Sequence, residues 1–281
     1  MRSNAFIFGL LALTTSAIVF AGVANDIPSC YAANKMTIPA ADREVFVMVD
    51  QTTHFDTSLQ NSIRENVGRL VTANTSFVIA DFSSYAQGRY LEVLTAGSLE
   101  GPIDPKLRDD LSVKILKNFD ACISGQLAFG RKTAANALNN ALSGAGSDIA
   151  KSDILGSLKE LSVRIHDSKA KDKILFLASD MLENSSITSF YGNHSVRLVD
   201  PVAELKKAES SKMLTDFGGA RVFILGAGLM QEKIAGSNIK NGIYRDPKTI
   251  NLLRDFWGKY FTASKAKLEQ FGAPALLSPV Q

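Results

Sequence analysis

The sequence is poor in the residues that most readily carry chemistry. It has two cysteines and three histidines in 281 residues, with a formal net charge of only +3. Cys30 and Cys122 have no histidine beside them, which excludes a Cys/His zinc site. No Gly-x-Ser-x-Gly accompanies His54, His166 and His194, so a Ser-His-Asp hydrolase lacks its nucleophile turn. There is no phosphate loop of the Gly-x-x-x-x-Gly-Lys-Ser/Thr type. Gly226-Ala227-Gly228 has Gln231 where a dinucleotide fingerprint needs its third glycine, and so reads as a turn. No Lys/Arg stripe marks a nucleic-acid surface. There is no internal repeat and no low-complexity tract.

The one segment that stands apart is the N-terminus. Arg2 precedes an uncharged run, Ile7–Ala24, that ends in small residues. A positive start, an apolar stretch and small residues are the layout of a secretory signal peptide. Gly22 and Ala24 fit the −3 and −1 positions, with cleavage before Asn25, so residues 1–24 are expected to be a signal peptide of an exported, periplasmic or secreted protein. Uncleaved, the same run would be an N-terminal anchor. Once it is removed, no membrane span is expected. In an oxidising compartment Cys30 and Cys122 could pair, closing a long loop worth about 4–5 kcal/mol in the chain-entropy model, or stay free.

Residues 25–43, with Pro28 and Pro39, read as an extended lead-in. The organising stretch is Glu44 to Asp56, EVFVMVDQTTHFD. An apolar run without polar alternation reads as a strand buried on both faces, as in parallel sheets. Leu59, Ile63, Val67 and Leu70 then recur at helical spacing. Ser76–Phe82 is a second strand, and Leu91–Thr95 a candidate edge strand. Over 106–143 the apolar positions keep a helical period, as one helix or two broken near Gly125 or Gly130. Ile154–Ile165 is a further amphipathic helix, and Lys173–Ala178 the next buried strand. A helix over Val202–Phe217, a strand at Arg221–Leu225, a helix from Pro247 and a short strand from Leu268 complete the chain.

Strands alternating with amphipathic helices imply a doubly wound α/β fold: a mostly parallel central sheet with helices on both faces. Residues 44–281 are expected to form one domain, with 106–143 as a helical insertion. Phe256, Trp257, Tyr260 and Phe261 read as core. In such sheets ligands bind outside the carboxyl ends of the strands. Asp50 and Thr52 follow the first strand, Ser152 opens a helix, and Asp180 follows a later strand. Two carboxylates and two hydroxyls are a hard-oxygen set suited to Mg²⁺ or Mn²⁺.

Asp50-Gln51-Thr52, KSDILGSL at 151–158 and ILFLASD at 174–180 resemble a von Willebrand factor A (vWA) domain. That family carries a metal-ion-dependent adhesion site of the pattern Asp-x-Ser-x-Ser, completed by a Thr and an Asp from two later loops. Asp50, Thr52, Ser152 and Asp180 match it in order. His54 stands where the family has its second Ser, and Thr53 is expected to point to the opposite side. The resemblance implies a non-enzymatic protein that recognises a protein partner through a divalent cation, with His54 as a modulator. Two alternatives stay open: a structural component of a cell-envelope assembly with a non-functional metal site, and a Mg-dependent phosphohydrolase using Asp50, Asp81 and Asp180.

Overall fold

Strand β1 (Arg43–Asp50) takes the centre of a six-stranded sheet, with six consecutive residues buried. The computed structural model describes residues 25–86, 89–145, 152–192, 195–229 and 247–281. The leader read at residues 1–24 and the residues from 146 to 151 lie outside them. In chain order, a single turn α1 (Cys30–Ala33) precedes β1, followed by α2 (Thr57–Leu70), β2 (Thr75–Ala86) and β3 (Arg89–Leu99). Next come α3 (Pro105–Arg108), α4 (Val113–Gly144), α5 (Ile154–Asp167) and β4 (Asp172–Ala178). A two-residue hairpin, β5 (Tyr191–Gly192) with β6 (Ser195–Val196), precedes α6 (Pro201–Ser210). The last elements are β7 (Arg221–Leu225), α7 (Pro247–Ala263) and β8 (Lys267–Gly272).

The strand order is β3-β2-β1-β4-β7-β8, and every neighbouring pair is parallel except β2 with β3. Successive side chains of a strand point to opposite faces, and here each face has its own core. Phe46, Met48, Leu175, Leu177 and Ile224 meet α5 and α7 on one side. Val45, Val47, Val49, Phe176 and Leu225 meet α2 and α4 on the other. A buried side chain of this size is stabilised by about 1.5–3 kcal/mol, so two covered faces explain the unbroken apolar run.

Carboxylates and hydroxyls set the helix starts. Asp56 caps α2 by accepting from Leu59 N at 2.8 Å, and Asp153 caps α5 by accepting from Gly156 N at 2.8 Å. Each satisfies a backbone donor that the first turn cannot.

Three sequence expectations are revised. The region 106–143 does not stand aside as an insertion: α4 is one unbroken helix of 32 residues. Its Ala134, Leu138, Ala141 and Leu142 belong to the sheet's core. Gly130 sits where Leu99 crosses, and a Cβ there would lie 2.2 Å from Leu99 Cδ2. Close packing explains that glycine, not a break. The helix read over Val202–Phe217 ends at Ser210, and Lys212 follows with a positive φ of 58°. The lead-in is not extended throughout: α1 is stapled to α4 by a Cys30–Cys122 disulfide.

Glu100 builds that staple. Its buried carboxylate accepts from Cys30 N at 2.7 Å, from Tyr31 N at 3.2 Å and from Ser29 Oγ. Gln126 of α4 donates to it at 3.1 Å. Upstream, Asp26 N bonds Ala96 O at 2.9 Å, so the lead-in runs beside β3.

Candidate functional site

The chain reverses its winding between β1 and β4, the position at which doubly wound sheets open a crevice at the strands' carboxyl ends. Asp50 closes β1 there and is fully buried. Both carboxylate oxygens are occupied by hydroxyl and amide donors. Oδ1 accepts from Thr52 N at 2.9 Å and from Thr52 Oγ1 at 2.6 Å. Oδ2 accepts from Ser152 Oγ at 3.2 Å and from Ser179 Oγ at 2.7 Å. The end of β1, the start of α5 and the end of β4 therefore meet at one carboxylate.

Asp180, the next residue, is almost buried. Its Oδ1 accepts from Leu182 N at 2.8 Å, its own N–H donates to Thr53 Oγ1 at 3.2 Å, and its carbonyl accepts from Gly228 N at 2.8 Å. Met181 takes a positive φ of 59° to make the bend. Trp257, from the aromatic face of α7, clamps the loop by donating to Met181 O at 3.0 Å. The aromatic cluster is core, and through this bond it also holds the site's third segment.

Strand alternation misled at two positions. Thr53 is buried and faces Asp180, whereas His54 is exposed. The reason is the turn closed by Thr53 N donating to Asp50 O at 3.3 Å, which ends the two-residue period immediately after Asp50. His54 thus does not occupy a ligand position. Asp81 also departs from the reading: it lies within β2, in register with Val49. Since Val49 and Asp50 point to opposite faces, Asp81 is on the far side of the sheet from Asp50 and cannot share its site.

Ser179 and Glu183 are site residues that sequence reasoning passed over. Ser179 was legible only as the neighbour of Asp180. Glu183 is fully buried, with Oε2 accepting from Leu155 N at 3.0 Å at the start of α5. Its Oε1 has no hydrogen-bond partner among the described residues. Burial, reinforced by Asp153, pushes its pKa up to about 8. Burial likewise raises Asp50 and Asp153 above the ordinary carboxylate range.

Among the described residues no Lys or Arg pairs with Asp50. A buried carboxylate is stabilised by a proton, by hydrogen-bond donors or by a cation. The donors around it are hard oxygens, with no thiol or imidazole, and each hydroxyl keeps lone pairs while donating to Asp50. Asp50, Thr52, Ser152 and Asp180 therefore fit Mg²⁺ or Mn²⁺ by donor chemistry. No group of three or more His, Cys, Asp or Glu suited to a metal occurs among the described residues, so hydroxyls would have to complete the set.

Fold and site together define a doubly wound α/β protein with a mostly parallel six-stranded sheet and a carboxylate–hydroxyl cluster at its switch point. No family model matches the sequence, and no curated protein matches it. Among solved structures, an aerotolerance-related membrane protein from Bacteroides fragilis is similar over 82% of this chain and 92% of its own, at 13% identity and a TM-score of 0.38. Proximal thread matrix protein 1 from the mussel byssus is similar over 67% of this chain, at 14% identity and a TM-score of 0.32. This chain spans 38% of that mussel protein's length. Among the described residues no helix is long and apolar enough to cross a membrane.

Proposed function

We propose that this is an exported, vWA-like binding protein that recognises a protein partner at the carboxyl rim of its sheet. In this reading Asp50, Thr52, Ser152 and Asp180 hold a Mg²⁺ or Mn²⁺ ion, and the output is recognition rather than catalysis. Bound there, the ion would supply an electrophilic position for a carboxylate of the partner. The chain's own residues prepare it: Ser179 and Ser152 orient Asp50, while Thr53 and Leu182 fix Asp180 on the neighbouring strand end.

The observation that carries the reading is a fully buried Asp50 ringed by three hydroxyls from three segments, with no cationic side chain against it among the described residues. Export is supported by the Cys30–Cys122 bond, since disulfides persist in oxidising compartments. A second reading, a structural component with a non-functional metal site, draws on the outward-facing His54.

Calorimetric titration of the protein with Mg²⁺ and with Mn²⁺, repeated on Asp50→Asn, separates these. Saturable binding that disappears in the variant supports the cation site. No binding at millimolar ion supports the structural reading. Metal-dependent turnover of p-nitrophenyl phosphate would instead overturn the non-enzymatic assignment.

A further inference from the structure

A groove with a cavity volume of about 990 Å³ runs between α7 and β8 and shares no residue with the Asp50 site. Its floor is the border of the sheet: among the described residues β8 pairs with β7 and with no further strand. An edge strand presents unpaired N–H and C=O groups along its length. The wall carries Asn251, Arg254, Gly258 and Thr262 of α7.

Gly258 is the one glycine of α7. A glycine in a helix interior costs about 1 kcal/mol relative to alanine. Where this chain keeps Gly130, Leu99 fills the space. At Gly258 a Cβ would meet no atom within 4 Å. The helix wall therefore has a notch that nothing in the described chain occupies.

The groove's charges are unbalanced. Lys259 pairs with Asp255, and Lys267 pairs with Glu269 at 3.0 Å. Arg254 has no ion pair among the described residues; its guanidinium lies over the Phe271 ring, 5.6 Å from the centroid. A guanidinium over a ring makes no hydrogen bond to it and keeps its fork of donors for a carboxylate.

We propose that this groove docks an extended acidic segment of a partner protein, which adds as a strand to the free edge of β8. One of its side chains fills the notch over Gly258, and a carboxylate meets Arg254. Backbone pairing supplies affinity in this mode, and the pockets beside the edge supply specificity. A second copy of this chain is the poorer occupant, because the groove's one unpaired charge is positive and two copies would bring like charges together. The inference does not depend on the cation site.

The test selects a random decapeptide display library against the full chain and titrates the enriched peptides, fluorescently labelled, by anisotropy. The expected result is enrichment of alternating apolar and acidic residues. Binding should weaken at least about tenfold, or 1.4 kcal/mol, in Arg254→Glu and in Gly258→Trp, and persist in Gly258→Ala. Peptide should also slow amide hydrogen exchange in β8. The thermal midpoint of each variant verifies folding, which the open space at Gly258 should preserve. Enrichment of basic peptides, or binding that ignores both variants, or protection of a strand other than β8, overturns the proposal. Concentration-dependent dimerisation abolished by Gly258→Trp overturns it in favour of a second copy.

Discussion

Ser179 Oγ donates to Asp50 Oδ2 at 2.7 Å, across the seam between β4 and β1 where the sheet reverses its winding. Truncation to Ser179→Ala removes one of the two donors to that oxygen and leaves Ser152. An unsatisfied buried acceptor costs about 1–3 kcal/mol, and the remaining donor puts the expected loss near about 1 kcal/mol. Urea unfolding at neutral pH measures it. An unchanged midpoint would mean that water replaces the hydroxyl and that Asp50 is less enclosed than its burial indicates.

Ion binding at Asp50 should be proton-linked. Burial raises the Asp50 pKa, so the carboxylate keeps its proton to higher pH than an exposed Asp, and a cation must displace it. Affinity for Mn²⁺ is therefore expected to rise with pH above the ordinary carboxylate range, with proton release. Calorimetry in two buffers of different ionisation enthalpy reads the protons directly. Identical heats in both buffers would refute the linkage.

The Cys30–Cys122 bond closes a separation of 92 residues. In the chain-entropy model such a loop contributes about 4–5 kcal/mol. The paired variant Cys30→Ser with Cys122→Ser should lose stability on that scale, read by chemical denaturation against the oxidised wild type. Equal stability with and without reductant would show that Glu100 and the apolar contacts around Phe119 hold the lead-in unaided.

Asp81 and Glu92 stand directly opposite each other on β2 and β3. Burial, and then the Glu92 charge, push the Asp81 pKa up to about 6. A carboxyl that holds its proton more tightly when folded stabilises fully below its unfolded pKa, and that contribution is lost as pH rises through about 6. Glu92→Gln should lower the Asp81 pKa and raise the neutral-pH unfolding midpoint. Titration of Asp81 by NMR and denaturation at two pH values check both halves.

Two glycines of α4 should respond with opposite sign to alanine. Gly130→Ala drives a methyl into Leu99 and should cost about 1–3 kcal/mol. Gly125 is exposed with nothing within 4 Å of a Cβ, so Gly125→Ala should gain about 0.5–1 kcal/mol. Thermal unfolding of the two variants decides it.

The buried strands and the long helices were legible because their periods are set by burial: two covered faces for β1 and β4, one for α2 and α5. That the ends of β1 and β4 meet at one rim followed from parallel strand direction alone. The reversal at Thr53 and His54 did not, because a turn closed by one backbone bond has no apolar period to read. Nor was Glu183 marked, since its burial comes from tertiary packing of the loop after β4 against α5. The place of α4 in the core was hidden for a different reason. Ala134, Ala137 and Ala141 are part of its buried face, and alanines carry little hydrophobic signal.

Asn25 and Asp26 lie along β3, where Asn25 Oδ1 accepts from Ser98 N and Asp26 accepts from Thr95 Oγ1 and Ala96 N. One border of the sheet is thereby covered at Thr95–Ser98 by Asn25 and Asp26, while among the described residues the other stays bare at β8. A ribbon with a single open margin can be lengthened on that side only. Two copies of this chain joined margin to margin at β8 would close as a pair and would not run on into a filament.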